Sequence, residues 1–269
     1  MTMKLYSQVS GEGKDLVLLT GLAGSTRYWN HIHDQLLQAG FRVIRLDMLG
    51  FGRSPRISSN EGSYTLTTHV ESIVETLQQL RVHDATIVGY SVSCSAVLRI
   101  AALNPELCAR AVLFCPPVYS SYEAADGLAY LTGNLPRWIL DSLYARIICK
   151  LVCNNKAIAL PIYRRIATTV PMEVREDARL HNWKSYRESF DNLMLHYRSE
   201  SDLSASAVPT LMVYGTADKS VEANYLESLT KLYPQVQTLM VAGGHHQIPN
   251  ESPDLAVRII TLPRQIKTV

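Results

Sequence analysis

An excess of charge of either sign is missing from this chain. Its 269 residues carry 26 Lys plus Arg against 24 Asp plus Glu, a formal charge of +2. No basic surplus exists to neutralise phosphates, which argues against a nucleic-acid partner. Long apolar runs are missing too. The best candidate, Ile139–Cys153, is interrupted by Asp141, Arg146 and Lys150, short of the roughly 20 residues a membrane span needs. The first fifteen residues, MTMKLYSQVSGEGKD, have no apolar core and no cleavage signal, so a cytoplasmic protein is expected. The five cysteines (Cys94, Cys108, Cys115, Cys149, Cys153) are an odd number in mostly apolar settings. They read as buried free thiols. Cys149 and Cys153 could share a helical face, but no histidine pair lies near them, so no metal site is expected. Gly50-Phe51-Gly52 lacks the G-x-G-x-x-G spacing of a dinucleotide cradle. Asp47 and Arg53 are expected to hold that turn by hydrogen bonds. No repeat or low-complexity tract is present.

What is there is a core-forming composition, 47% hydrophobic and 19% charged, enough for one large domain or one domain with an inserted lobe. Short apolar, β-branched runs recur at Asp15–Leu19, Phe41–Asp47, Ala85–Gly89, Ala111–Cys115, Thr210–Tyr214 and Gln237–Val241. Their length suits parallel strands buried on both faces. Amphipathic stretches separate them, among them Leu66–Leu80, Ala96–Asn104 and Val221–Tyr233. The alternation predicts an α/β fold with a doubly wound, mostly parallel sheet. An early strand near Lys4–Gln8, followed by a Gly11–Gly13 turn, is expected to form an antiparallel hairpin at one edge.

From Tyr119 to Ser201 the strand pattern stops. Helical periodicity broken by Gly133, Pro136, Pro161 and Pro171 predicts an inserted lobe of three to five helices. Residues 1–118 and 202–269 then form the core, and 119–201 the lobe. The lobe holds half of the 14 tyrosines and two of the three tryptophans. Most serve its own packing, and some line a pocket against the sheet, which favours an apolar or aromatic ligand. Its charges are mixed and specify no anionic substrate.

The chemistry concentrates in three places. In Ala85–Ile100 a buried strand runs into Gly89-Tyr90-Ser91-Val92-Ser93 and then a helix. A serine on such a strand-to-helix turn has its hydroxyl pushed out above the sheet, over a helix N-terminus that favours negative charge. Alone, the motif is equally an N-cap serine. A serine hydroxyl needs a base, and the base an orienting acid. Asp218 follows the strand Thr210–Tyr214, and His245 and His246 follow the last strand. Loops at the carboxyl ends of parallel strands converge on one edge. The oxyanion would be held by the backbone N–H groups of Val92 and of Leu22, in the glycine-containing loop after Asp15–Leu19. The remaining six histidines read as surface or packing residues.

In their order and spacing these segments resemble the α/β-hydrolase superfamily over nearly the whole chain. They are similar to the capped branch of esterases, thioesterases, C–C bond hydrolases and cofactor-free haloperoxidases. LLTGLAGSTRYW is similar to the family's HG-x-x-G-S loop, LDMLGFGRS to its D-x-x-G-x-G-x-S segment, VGYSVS to its nucleophile elbow. VYGTAD resembles the acid loop and GGHHQIPNESP the histidine loop. The resemblance implies a cap between the sixth and seventh strands. Thr20 stands where the family has a loop histidine, and Ser93 where the elbow has glycine. His246 aligns without a gap as the base, with His245 the alternative. The implied enzyme is a serine hydrolase acting on an ester or thioester through Ser91, His246 and Asp218. Tyr90 and Trp138 would contact a small-molecule acyl substrate, and no cofactor is needed. The same triad would serve C–C hydrolysis, acyl transfer or cyclisation. A non-catalytic small-molecule receptor on this scaffold is the third reading, and the oligomeric state is open.

Overall fold

Strand-forming runs become strands where the sequence places them. The computed structural model describes residues 3–58, 60, 62–132, 143–154, 172–177 and 179–262. Its strands are β1 (Ser7–Ser10), β2 (Lys14–Leu19), β3 (Phe41–Leu46), β4 (Ala85–Tyr90), β5 (Cys108–Phe114), β6 (Thr210–Gly215) and β7 (Val236–Val241). They form one sheet in the order β1-β3-β2-β4-β5-β6-β7. Every pair is parallel except β1 with β3.

Side chains alternate between the two faces of each strand. Val17, Leu19, Ile44, Leu46, Ile87, Ala111, Leu113 and Met212 feed one hydrophobic cluster. Leu16, Leu18, Val43, Val88, Val112, Phe114, Leu211 and Val213 feed the other. Helices α2 (Leu66–Gln79), α3 (Ser93–Leu103) and α9 (Ala223–Leu232) bury their apolar residues in the first cluster. Helices α1 (Asn30–Gln38) and α11 (Pro253–Thr261) do so in the second. The sheet is therefore covered on both faces, as parallel strands require.

Two expectations need correction. The edge strand lies at Ser7–Ser10, not Lys4–Gln8, and it pairs with β3, not in a hairpin with β2. Its half-exposed polar sequence suits an edge, whereas the apolar run of β2 is buried in the sheet interior. The connecting turn crosses over the start of β3. A Cβ on Gly13, at φ +119°, would lie 2.2 Å from Gly40 O, so only glycine fits there. The helical stretch lies between β5 and β6, the fifth and sixth of the seven strands among the described residues.

Among the described residues no strand occurs between Phe114 and Thr210. That stretch contains α4 (Tyr122–Leu128), α5 (Leu143–Asn154), α6 (Met172–Asp177), α7 (Trp183–Phe190) and α8 (Glu200–Ala205). Helix α7 opens with a capping box between Asn182 and Ser185, which satisfies donors at the helix start. A short helix, α10 (Ile248–Glu251), precedes α11. Among the described residues no helix is long and apolar enough to cross a membrane.

Candidate active site

β2 and β3 run away from β4 and β5 in the sheet order, so the chain reverses direction between β2 and β4. Ligand crevices form outside the carboxyl ends of strands at such a point. Ser91 follows β4 directly and adopts φ +54°. That left-handed conformation costs an L-residue about 1–2 kcal/mol. Two backbone bonds hold it: Ser91 N–H donates to Phe114 O at 2.9 Å, and Ser91 O accepts from Cys94 N–H at 2.9 Å. Helix α3 crowds the strand, since a Cβ on Gly89 would meet Cys94 Cα at 3.0 Å. Ser93 fits the second small position by turning its hydroxyl back on the strand. Its Oγ lies 2.9 Å from Tyr90 N and 3.0 Å from Tyr90 O. The elbow is covered rather than open above the sheet, with Ser91 only 6% exposed.

The acid and histidine loops are tied to each other. Ala217 N–H donates to Gly244 O at 2.9 Å, and Gly243 N–H donates to Thr216 Oγ1 at 2.8 Å. A Cβ on Gly215 would lie 2.0 Å from Gly244 O, so this approach needs glycine. The loops bring His246 Nδ1 to 2.7 Å from Asp218 Oδ2 and His246 Nε2 to 3.0 Å from Ser91 Oγ. An ionised carboxylate only accepts, so Nδ1 carries the proton and Nε2 is left to accept from the serine hydroxyl. Burial pushes the Asp218 carboxyl up, but hydrogen bonds from His246 and Ser220 outweigh it and hold the group below 3.8. His245 points elsewhere. Its N–H donates to Glu251 Oε2 at 3.0 Å, and its side chain is 69% exposed.

The loop after β2 lies against the elbow. A Cβ on Gly21 would meet Tyr90 Cε1 at 2.9 Å and Ser91 Cβ at 3.3 Å. Leu22 follows, then Ala23 at φ +57°, and Gly24 N–H closes the turn on Gly21 O at 3.1 Å. Val92 caps α3. Among the described residues neither the Leu22 nor the Val92 N–H has a protein acceptor. Asp47 anchors the loop, accepting from Thr26 N–H at 2.5 Å and from Arg53 N–H at 2.7 Å. Thr20 is fully buried, and its Oγ1 has no partner among the described residues. The lobe reaches this loop as well. Asp177 accepts from Ser25 Oγ at 2.7 Å and from Arg27 Nη1 at 2.9 Å.

Tyr90 is buried, stacked on Tyr28 at 4.5 Å and tilted against the His246 ring at 5.5 Å. Tyr90 thus backs the His246 ring, whereas the sequence expectation for Tyr90 is contact with substrate. Trp138 lies outside the described residues. Three neighbours escaped the sequence reading. Ser220 donates to Asp218 Oδ1 from both its N–H and its Oγ. The Asp-x-Ser spacing was the available signal, since aspartate binds the backbone two residues on. Tyr119 Oη donates to Ser220 O at 3.0 Å. Cys115 directly follows β5 at φ +51°, and burial first, then the Asp218 charge, pushes its thiol up. Nothing in the sequence separates it from an ordinary core cysteine.

A family model described as "alpha/beta hydrolase fold" matches residues 15–143, and one described as "Serine hydrolase (FSH1)" matches residues 174–256. The probable lysophospholipase BODYGUARD 4 of Arabidopsis thaliana is 23% identical over 91% of this chain; the match spans 62% of that protein's own length. A bromoperoxidase from Bacillus anthracis superposes with TM-score 0.70 at 22% identity, over 96% of this chain and 95% of its own. A thermophilic esterase from Thermogutta terrifontis gives 0.70 at 19% identity, over 95% and 91%. The sheet, its switch point and the loops at its carboxyl edge define an α/β-hydrolase fold. The chain therefore has the α/β-hydrolase fold, and its residues 15–143 match the family model of that description.

Proposed function

We propose that the protein is a serine hydrolase that cleaves an ester or thioester through Ser91, His246 and Asp218. The observation that carries this reading is the unbroken hydrogen-bond chain Ser91 Oγ–His246–Asp218, at 3.0 and 2.7 Å. Ser91 Oγ attacks the carbonyl carbon as its proton passes to His246 Nε2. Asp218 fixes the tautomer and stabilises the imidazolium that forms. The Leu22 and Val92 N–H groups receive the developing oxyanion, a contribution of about 10²–10³ in rate for each such donor. His246 returns the proton to the leaving group, and the acyl-enzyme remains on Ser91. Water activated by the same histidine then releases the acid. Alkoxide and thiolate leave more readily than amine, so esters and thioesters are favoured over amides. An intact base and acid behind the serine argue against a receptor without turnover.

The acyl group is proposed to be apolar or aromatic. Leu22 and Ala23 pack against the same hydrophobic cluster that holds Val92 and the lobe residues Tyr119, Tyr130, Phe190 and Leu193. Apolar side chains of the loop and of the lobe thus share one cluster with Val92, beside Ser91. Names such as lysophospholipase and esterase among the similar proteins point the same way. Residues 119–201 act in this reading as a cap, latched to the oxyanion loop by Asp177. Nitrophenyl esters and acyl-thioesters of graded chain length test it. The expected result is hydrolysis with kcat/KM rising from acetyl to longer or aryl acyl groups. Turnover confined to acetyl esters would remove the apolar-acyl reading.

A further inference from the structure

The sequence offers no metal-ligand spacing, yet the fold assembles a donor set beside the triad. One ligand atom each from Cys115, Asp218 and His246 lies within 4.8 Å of the others, and Cys115 and Asp218 are buried. The geometry points to a binding site here for a thiophilic divalent cation, Zn²⁺ foremost, that switches the hydrolase off.

A thiolate, an imidazole and a carboxylate form a donor set suited to zinc rather than to magnesium or calcium, which take oxygen ligands. Zinc bonds of about 2.0–2.3 Å put tetrahedral donors roughly 3.5 Å apart. Asp218 Oδ2 and His246 Nδ1, now 2.7 Å apart, open slightly as the cation replaces their shared proton, while Cys115 closes in. Ser220 Oγ, 2.6 Å from Asp218 Oδ1 and 3.1 Å from His246 Nδ1, supplies a fourth donor at the same corner. Cys94 and Cys108 are buried as fully, but neither belongs to such a donor set among the described residues. Cys115 is also the one cysteine among the described residues with positive φ. Strained non-glycine backbone of this kind clusters at functional sites.

Binding sends the Cys115 Sγ proton to solvent and shifts the His246 proton from Nδ1 to Nε2, so the imidazole stays neutral; no oxidation state changes. Zinc on Nδ1 takes Asp218 away from the imidazole and draws electron density from it. Nε2 then no longer accepts the Ser91 proton. The inhibitory consequence rests on the serine-hydrolase reading, whereas cation binding does not.

The test is titration of the full chain with Zn²⁺ by calorimetry and with Co²⁺ by absorbance. A Cys149→Ala background removes a second thiol–imidazole pair among the described residues, in which Cys149 Sγ lies 3.6 Å from His181 Nε2. One equivalent of either metal is expected to bind, with a thiolate-to-cobalt charge-transfer band, in both Ser91 and Ser91→Ala proteins. Zinc inhibition of ester hydrolysis should be reversed by a chelator and lost in Cys115→Ala, each variant being compared with its own metal-free rate. No uptake by the Ser91 protein, a cobalt spectrum without the thiolate band, or undiminished uptake by Cys115→Ala overturns the site. Ester turnover by Ser91→Ala would instead overturn the triad and leave the metal titration standing.

Discussion

Ser220 grips Asp218 twice, with its Oγ at 2.6 Å and its N–H at 3.0 Å from the same carboxylate oxygen. The other oxygen is left for His246 Nδ1, so the carboxylate cannot rotate away from the imidazole. A hydrogen bond to a charged group contributes about 1.5–3 kcal/mol. Ser220→Ala is therefore expected to lower kcat by about tenfold or more with little change in KM. The acid limb of the pH–rate profile should move up, because the carboxyl loses a bond that holds it below 3.8. Steady-state kinetics across pH check both; a change in KM alone would contradict the assignment.

Gly21 is the narrow point between the oxyanion loop and the elbow. A methyl group there meets Tyr90 at 2.9 Å and Ser91 Cβ at 3.3 Å, and the loop must retreat. Gly21→Ala is expected to lower kcat by about 10²-fold, the effect of losing one oxyanion donor. The thermal midpoint should fall only modestly, since the strand behind the loop is untouched. Calorimetry beside kinetics separates the two effects.

The adjacent histidines differ in kind. His246 faces Ser91 and Asp218, whereas His245 is exposed and tied to Glu251. His246→Ala is expected to reduce kcat by about 10³-fold or more. His245→Ala should stay within about threefold of the parent, since its backbone N–H, not its ring, makes the short bond to Glu251. Reversal of that order in parallel kinetics would exchange their roles.

His69 makes the fold acid-sensitive. It is fully buried on α2, its Nε2 is 2.9 Å from Ser189 Oγ on α7, and burial pulls its pKa from 6.5 to about 3. As pH falls below 6.5 the unfolded chain takes up a proton that the folded chain refuses. The stability His69 provides is complete above pH 6.5 and is lost progressively between 6.5 and about 3. His69→Gln is expected to flatten the fall of the melting temperature between pH 7 and 5. An equal slope in both proteins would assign the acid sensitivity elsewhere.

What was legible in the sequence was whatever depends on local pattern. The apolar runs that became β2 to β6 each have a neighbouring strand on both sides, so their hydrophobicity marks them, and β7, at the edge, is marked by its own apolar run. Ser91, Asp218 and His246 were legible because each follows such a run at the same sheet edge. The edge strand was misplaced because a polar strand carries no burial signal, and its partner was set by a glycine crossover rather than by adjacency. Cys115 and Tyr119 were illegible because their roles come from β5 ending beside β6, a non-local pairing. The choice between His245 and His246 needed the Gly215–Gly244 approach, which only coordinates supply.

The central claim is that Ser91 becomes a nucleophile because His246 takes its proton. Intact-mass measurement after exposure to a fluorophosphonate tests it most directly. The account predicts one adduct per chain on Ser91, slowed strongly by His246→Ala and absent in Ser91→Ala. A folded Ser91→Ala protein that still forms the adduct, or that still hydrolyses the preferred ester, would contradict it.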